Sequence, residues 1–436
     1  MEISTLYQIF KEYPKITTDS RNVAENSIYF ALKGDKFDGN TFAIETLNKG
    51  AKYAIIDDPK YYLDSRTILV ENTLRTLQNL ANFHRRKLSI PFIAITGSNG
   101  KTTTKELIRC VLSEKYKVYA TQGNLNNHIG VPLTILSITS DIEMAIIEMG
   151  ANHPLEIKEL CNIAEPDFGI ITNIGRAHLE GFGGFEGVIK TKKELYDFLM
   201  AENRTVFYNS DNQILSELLT AYENKISYGN GQTSGRCRGS IIDKSVYLTT
   251  EIEDLQQIGS ESKINVSTNL LGDYNFENVL AAACIGMHFN IPMLNIKNAI
   301  ESYVPTNNRS QLKITDKNKL ILDCYNANPS STEAAVLNFA KINEQHKVII
   351  LGDMLELGNI AETEHLKILE LLKKQTDVKV ILVGKIYKSV AQSYEFSAFL
   401  DVDELNNWLQ LNPMQQSFVL IKGSRGIQLE KIVPVL

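Results

Sequence analysis

The chain has 436 residues, 43% of them hydrophobic, with 51 acidic against 45 basic side chains and a formal net charge of -6. That length suits about three domains and that apolar content excludes a disordered chain, while the lack of a basic tail or stripe leaves no electrostatic footprint for nucleic acid. No apolar run approaches the roughly 20 residues of a membrane span, no N-terminal segment joins a basic head to an apolar stretch, and Cys110, Cys161, Cys237, Cys284 and Cys324 are scattered without a CxxC pair, which argues against a disulfide framework or a zinc site; a cytoplasmic protein acting on small molecules is expected, with no membrane partner and a monomer as the default.

In chain order, residues 1–87 form a first unit, in which short apolar runs at Ser27–Leu32, Tyr53–Ile56 and Thr67–Val70 alternate with turn-rich polar segments. This is the pattern of a small α/β domain. A central unit spans residues 88–305. There Ile90, Phe92, Ile93, Ala94 and Ile95 read as a buried strand, and Leu107, Ile108, Val111 and Leu112 recur at the spacing of one helix face. Between them lies ITGSNGKTTTKE, Ile95–Glu106. Unpaired N–H groups and the positive end of a helix dipole at such a junction attract phosphate oxygens. Gly97 and Gly100 let the backbone curl around the ligand, with Ser98, Asn99 and Thr103 completing the loop. Lys101 reaches the outer phosphates, and the Thr102 hydroxyl is placed to hold Mg²⁺. The general motif wants a glycine where Ile95 stands, so this is a shortened GxxGKT variant.

Further strands at Ala145–Glu148 and Gly169–Asn173, with helical patterns between, predict a largely parallel sheet. Residues 230–269 are polar and alternating, the mark of an antiparallel meander before a helix over Asn275–Met287. A third unit, residues 306–436, alternates helices with buried-type strands at Lys319–Asp323, Val348–Leu351, Val378–Val383 and Phe418–Lys422, a Rossmann-like pattern. The expected fold class is therefore α/β in three domains: a small N-terminal domain, a central P-loop ATPase-like domain with a mostly parallel sheet, and a Rossmann-like C-terminal domain.

Ligands gather beyond the carboxyl ends of parallel strands, and several polar residues fall there. Glu148 ends MAIIE and can complete a Mg²⁺ shell with Thr102, or simply face solvent. His178, a lone loop histidine, is open to a surface role or a ligand role. Lys190, Lys192 and Lys193 form a basic cluster that reads first, on the residues alone, as the solvated start of a helix. Asn326 and Asn328 suit a turn, while Asp323 and Lys422 share the same sheet edge.

Taken together, TTDSRNVAENSIYFALKGDKFDGNTFA, TGSNGKTTTKE, NLNNHIGVPLTIL, IIEMGANHPLEI, NIGRAHLEGFG, GDYNFENVLAAA, DCYNANPSS, LGDMLELG and KGSRG resemble the motifs of the Mur ligases, ATP-dependent amide-bond formers of peptidoglycan synthesis. The resemblance spans nearly the whole chain and is nearest to those members that join D-alanyl-D-alanine to UDP-N-acetylmuramoyl-tripeptide. It implies that Ser20, Arg21 and the loop carrying Gly34, Asp35, Asp38 and Gly39 lie near the uridine diphosphate, with Asn126 and Asn127 facing the same substrate. Lys101 and Thr102 would serve ATP and Mg²⁺, Glu148 and His178 would help hold magnesium, and Lys192 falls where the family often carries a carbamylated lysine, with Lys190 and Lys193 as alternatives. A carbamate turns that cation into an oxygen ligand. Asn275 and Asn278 would contact adenine, Arg309 phosphate and Asp323 ribose, with Tyr325, Asn326 and Asn328 lining the cleft. The chain departs from the family pattern before Arg309, where no glycine stands, and at Leu322 and Cys324 around Asp323.

The implied reaction starts with attack of the substrate carboxylate on the γ-phosphate, and the dipeptide amine then displaces phosphate from the acyl phosphate. Asp353, Lys422, Ser424 and Arg425 are candidates for the dipeptide pocket, and no general base stands out. The rivals are a ligase adding another amino acid, a folylpolyglutamate synthase, a nucleotide-dependent switch and a non-catalytic nucleotide-sugar module. NLNNHIG and DCYNANP favour the dipeptide ligase over the first two.

Overall fold

The protein is described here from a computed structural model, which describes residues 1–231, 235–243, 246–259, 262–306 and 308–436. Three main sheets follow one another along the chain, and a two-stranded hairpin, Lys33–Gly34 with Phe37–Asp38, adds a small fourth within the first domain. The first has four parallel strands in the order Ile16–Thr17, Ile28–Phe30, Tyr53–Ile56, Thr67–Leu69. Its second strand is buried on both faces, which is why the sequence there is continuously apolar: Ile28 and Phe30 pack with Leu6, Phe10 and Leu77, whereas Tyr29 and Ala31 pack with Ala43 and Leu47.

The central sheet has nine strands. From Val118–Ala120 the order runs through Met144–Glu148, Phe92–Thr96, Phe168–Ile171, Thr205–Asn209, Lys225–Asn230 and Cys237–Asp243, all parallel, then Tyr247–Asp254 and Lys263–Leu271, both antiparallel. The expected meander is thus an extension of the same sheet; its residues 232–234, 244–245 and 260–261 lie outside the described residues. Phe92 and Ala94 face one core, Ile93 and Ile95 the other. Leu107, Ile108, Val111 and Leu112 are the buried stripe of the helix Lys101–Ser113, which packs on Phe276–His288, a helix apolar on nearly every side and therefore enclosed.

In the third sheet the order is Gln311–Ile314, Lys319–Asp323, Phe418–Lys422, Lys347–Gly352, Val378–Val383, Ser397–Phe399. All neighbours are parallel except the first pair, an antiparallel edge strand outside the Rossmann-like expectation.

The helix Thr73–Arg85 fastens the first sheet to the second. Asn82 donates to the carbonyls of Asn162 (3.0 Å) and Ile163 (3.1 Å), and Arg85 donates to those of Ala164 and Glu165 (2.8 Å each) while pairing with Asp167 at 2.8 Å. These carbonyls close the helix Glu156–Ala164, whose last C=O groups have no intrahelical partners. Cations at that negative helix end are also favoured by its dipole.

Candidate functional site

The loop after the strand Phe92–Thr96 is held open by its neighbour. Ser98 and Asn99 donate their N–H groups to the Asn173 carbonyl and side-chain oxygen (3.0 Å each), and Thr172 Oγ1 donates to the Asn99 carbonyl at 2.6 Å. Gly97 has φ +141°, and a Cβ there would meet Thr172 Oγ1 at 2.0 Å, so only glycine fits. Gly100, at φ +77°, starts the helix Lys101–Ser113 and would carry a Cβ 2.5 Å from Asn278 Oδ1. Lys101 Nζ donates to the Gly97 carbonyl at 2.6 Å across the curl of the loop. Burial draws its ammonium down to about 8, Glu148 opposes that shift and Arg309 adds to it. A phosphate oxygen beside it would hold that proton more firmly.

Glu148, 1% exposed at the end of Met144–Glu148, accepts from Thr102 Oγ1 at 2.9 Å and from Asn126 Nδ2 at 2.8 Å, with Lys105 Nζ 3.9 Å away. A hydroxyl and a carboxylate converging beside a phosphate loop are hard oxygen donors of the kind Mg²⁺ takes. Among the described residues no group of three or more His, Cys, Asp or Glu forms a metal cage. His178 stands apart: left-handed at φ 52°, it bonds through Nδ1 to the Glu356 carboxylate of the third domain. That bond holds Glu356 below the usual carboxylate range against the effect of burial. Of the three lysines, Lys190 is exposed and Lys193 pairs with Asp197, whereas Lys192 is 2% exposed with Nζ 5.4 Å from the centre of the Phe182 ring. Burial, with Lys101 nearby, pushes Lys192 well below an ordinary lysine.

The third domain brings its strand ends to the same loop. Lys422 Nζ donates to Asp323 at 2.7 Å and to the Asn326 carbonyl at 3.3 Å, and Arg309 stacks 3.7 Å over Tyr325. Asn328 caps the helix Pro329–Lys341 in a capping box and donates Nδ2 to Asn99 Oδ1 at 2.8 Å. Asn275 and Asn278 form a chain: Asn278 Nδ2 to Asn275 Oδ1, 2.8 Å, and Thr104 Oγ1 to Asn278 Oδ1, 3.0 Å. Together these elements enclose a cleft of about 810 Å³. Ser98, Asn99, Gly100, Lys101, Thr102, Thr103, Asn126, Asn127, Glu148, His178, Asn275, Asn278, Arg309, Asp323, Tyr325, Asn326 and Asn328 all line it, while Gly97 and Lys192 do not.

The residues expected near uridine diphosphate gather in the first domain. Arg21 folds back on Asp19, which its guanidinium holds down at about 2. Asp38 caps the turn Gly39–Phe42, the Gly39 carbonyl accepts from Tyr29 OH at 3.0 Å, Ser20 is buried, and Gly34 and Asp35 lie exposed at a hairpin tip. Asp353 and Ser424 are engaged internally: Asp353 accepts from the N–H groups of Ile386 and Tyr387 (2.9 Å each), and Ser424 Oγ from that of Leu355 (2.9 Å). Glu356, Asn173 and Lys105 escaped the sequence reading as site residues, although all three stand in or beside motifs quoted there; Glu277, Tyr274 and Asn212 also line the cleft.

Profiles of three domains match the chain: "Mur ligase family, catalytic domain" over residues 12–85, "Mur ligase middle domain" over 95–286 and "Mur ligase, glutamate ligase domain" over 308–425. The UDP-N-acetylmuramoyl-tripeptide--D-alanyl-D-alanine ligase of Bacillus subtilis is 32% identical, covering 96% of this chain and 92% of the relative. A crystal structure of MurF from Acinetobacter baumannii superposes with a TM-score of 0.86 at 28% identity, over 96% of this chain and 92% of that one. MurF ligase from Thermotoga maritima in complex with ADP superposes with a TM-score of 0.84 at 26% identity, over 97% and 96%. With three domain profiles in order and a relative matched nearly end to end, the chain belongs to the Mur ligase family.

Proposed function

We propose that this chain is the ATP-dependent ligase that joins D-alanyl-D-alanine to UDP-N-acetylmuramoyl-tripeptide, a cytoplasmic monomer acting on small molecules. The observation that carries the reading is the single cleft in which the ATP loop faces Arg309, Asp323 and Tyr325 of the third domain, on a chain matched over nearly its full length by ligases of that name. In the first step a carboxylate approaches a triphosphate, so two anions must be brought together. Lys101 and Arg309 lower that repulsion and align the reacting oxygens. Thr102 and Glu148, joined by His178 once it leaves Glu356, would hold Mg²⁺, which neutralises charge on the phosphates when bound. The substrate carboxylate oxygen bonds to the γ-phosphorus as the bond from that phosphorus to the β–γ bridging oxygen breaks and ADP leaves, giving an acyl phosphate; the dipeptide amine, having lost its proton, then attacks the carbonyl, and the tetrahedral intermediate collapses to the amide and expels phosphate. No side-chain nucleophile is needed. Carbamate formation requires a neutral amine, and the buried, depressed Lys192 supports that modification here over Lys190 or Lys193. Asn275 and Asn278 are assigned to adenine, Asp323 to ribose, and Ser20, Arg21, Gly34 to Gly39, Asn126 and Asn127 to the nucleotide-sugar substrate.

The test is phosphate release by the purified protein with ATP, Mg²⁺ and UDP-N-acetylmuramoyl-tripeptide, with and without D-alanyl-D-alanine. Both the lysine and the diaminopimelate tripeptides are to be tried. Release that requires the dipeptide is expected; release indifferent to it would overturn the ligase reading.

A further inference from the structure

We propose that Arg176 is a positioning residue that latches the third domain onto the ATP loop; the inference rests on the reading of the cleft as the ligase's nucleotide site. Arg176 sits between two residues already engaged. Gly175 is tied in both directions to the loop, its N–H donating to Ser98 Oγ at 2.9 Å and its carbonyl accepting from that hydroxyl at 3.0 Å. His178, two residues on, bonds to Glu356. From the same segment the Arg176 N–H donates to Ser330 Oγ at 3.0 Å, at the start of the helix Pro329–Lys341. Its guanidinium then divides between two helices of the third domain, 3.2 Å from Glu333 and 3.4 Å from Glu364. A shift of the third domain is therefore felt at Ser98 through a single dipeptide.

The two carboxylates are not equivalent. Glu333 is half-exposed, and an ion pair of that kind contributes little. Glu364 is 4% exposed. One of its oxygens accepts from Lys367 at 2.6 Å, and the other makes no hydrogen bond among the described residues. Arg176 stands close enough to that second oxygen for an ion pair but is not aligned for a hydrogen bond. A buried acceptor without a donor is costly, and a small turn of the guanidinium together with a slight approach would align it as a donor. That oxygen, ion-paired but without a hydrogen bond, thus favours a tighter seating of the third domain on the loop. An ATP phosphate drawing Lys101 and Arg309 inward moves the domains the same way. Domain closure and nucleotide binding are then coupled through Arg176.

A double-mutant cycle tests this on the full chain with Arg176→Ala, Glu364→Gln, the pair together, and Arg176→Lys as the conservative variant. Three quantities are measured: kcat/KM for ATP in dipeptide-dependent phosphate release, ADP affinity by calorimetry, and the ADP-bound radius of gyration by small-angle scattering. Each single change is expected to lower kcat/KM about five-fold or more, to weaken ADP binding and to enlarge the ADP-bound particle. The pair should be no worse than the more severe single change, because both remove one interaction. Arg176→Lys should restore part of the loss, since one charge remains but cannot span both helices. Singles within two-fold of the parent with unchanged radius, or losses that simply add in the pair, would overturn the latch. ADP affinity and radius need no peptide substrate, so a parent protein that binds ADP compactly yet releases no dipeptide-dependent phosphate would count against the ligase reading alone.

Discussion

The carbamate proposed at Lys192 turns on whether its amine carries a proton. Three lysines lie within four residues, yet Lys192 alone among them shares a helix face with Val188, Leu195 and Leu199, and it is buried with them. Burial disfavours the ammonium, and the neutral amine is the form that takes up carbon dioxide. Lys192→Ala is therefore expected to reduce turnover roughly 100-fold, the loss typical of a group that supports a metal site, and added formate or acetate should recover part of it by supplying a carboxylate. Near-normal turnover of the alanine variant, read by phosphate release, would remove the carbamate from the mechanism. The helical spacing of 188, 192, 195 and 199 was available in the sequence; what it could not supply was the depth of the face on which that spacing lies.

The helix Thr73–Arg85 shows how an element outside the cleft fixes its geometry. His84 is buried in it, with Nδ1 3.1 Å from Tyr7 OH and Nε2 3.0 Å from the Ile138 carbonyl, and burial lowers it below the ordinary 6.5. As pH falls below 6.5 the unfolded chain takes up a proton at this site before the folded one does. Stability from His84 is therefore full above 6.5 and declines as pH drops towards the depressed folded value, then levels off. In urea titrations between pH 8 and 5, His84→Gln should narrow the stability gap to the parent as pH falls; parallel curves would show that His84 does not carry this dependence. Hydrophobic spacing reveals such a helix, with Leu77, Leu80 and Ala81 buried. Its docking against the carbonyls of residues 162–165 joins partners about eighty positions apart, and no local pattern encodes that choice.

Across the whole molecule, the first two domains meet through the bonds of one helix, while the third meets the second in the cleft through Asn328, Ser330 and Glu356 and beside it through Glu333 and Glu364. A ligand spanning that cleft should weld the third domain to the second. At 100 times its dissociation constant ADP stabilises the bound state by about 2.7 kcal/mol. Calorimetry is expected to show a separate, earlier transition for the third domain without nucleotide, merging upward with the main transition when ADP is added; transitions that keep their spacing would place the nucleotide on one domain only. The amino-acid sequence by itself marked the strand–loop–helix segment of Gly97, Gly100, Lys101 and Thr102, because these residues fall within six consecutive positions, and it determined the α/β class, because strands buried on both faces must be apolar throughout. It also marked the strand-end residues, whose motifs are contiguous. Only the tertiary structure decided that Lys192 is the buried one of three neighbouring lysines, that His178 meets Glu356, that Asp323 is paired with Lys422, and that Arg176 reaches Glu364. Those pairings depend on how separately folded sheets are set against one another, and the free energy that sets them is spread over contacts between residues far apart in the chain.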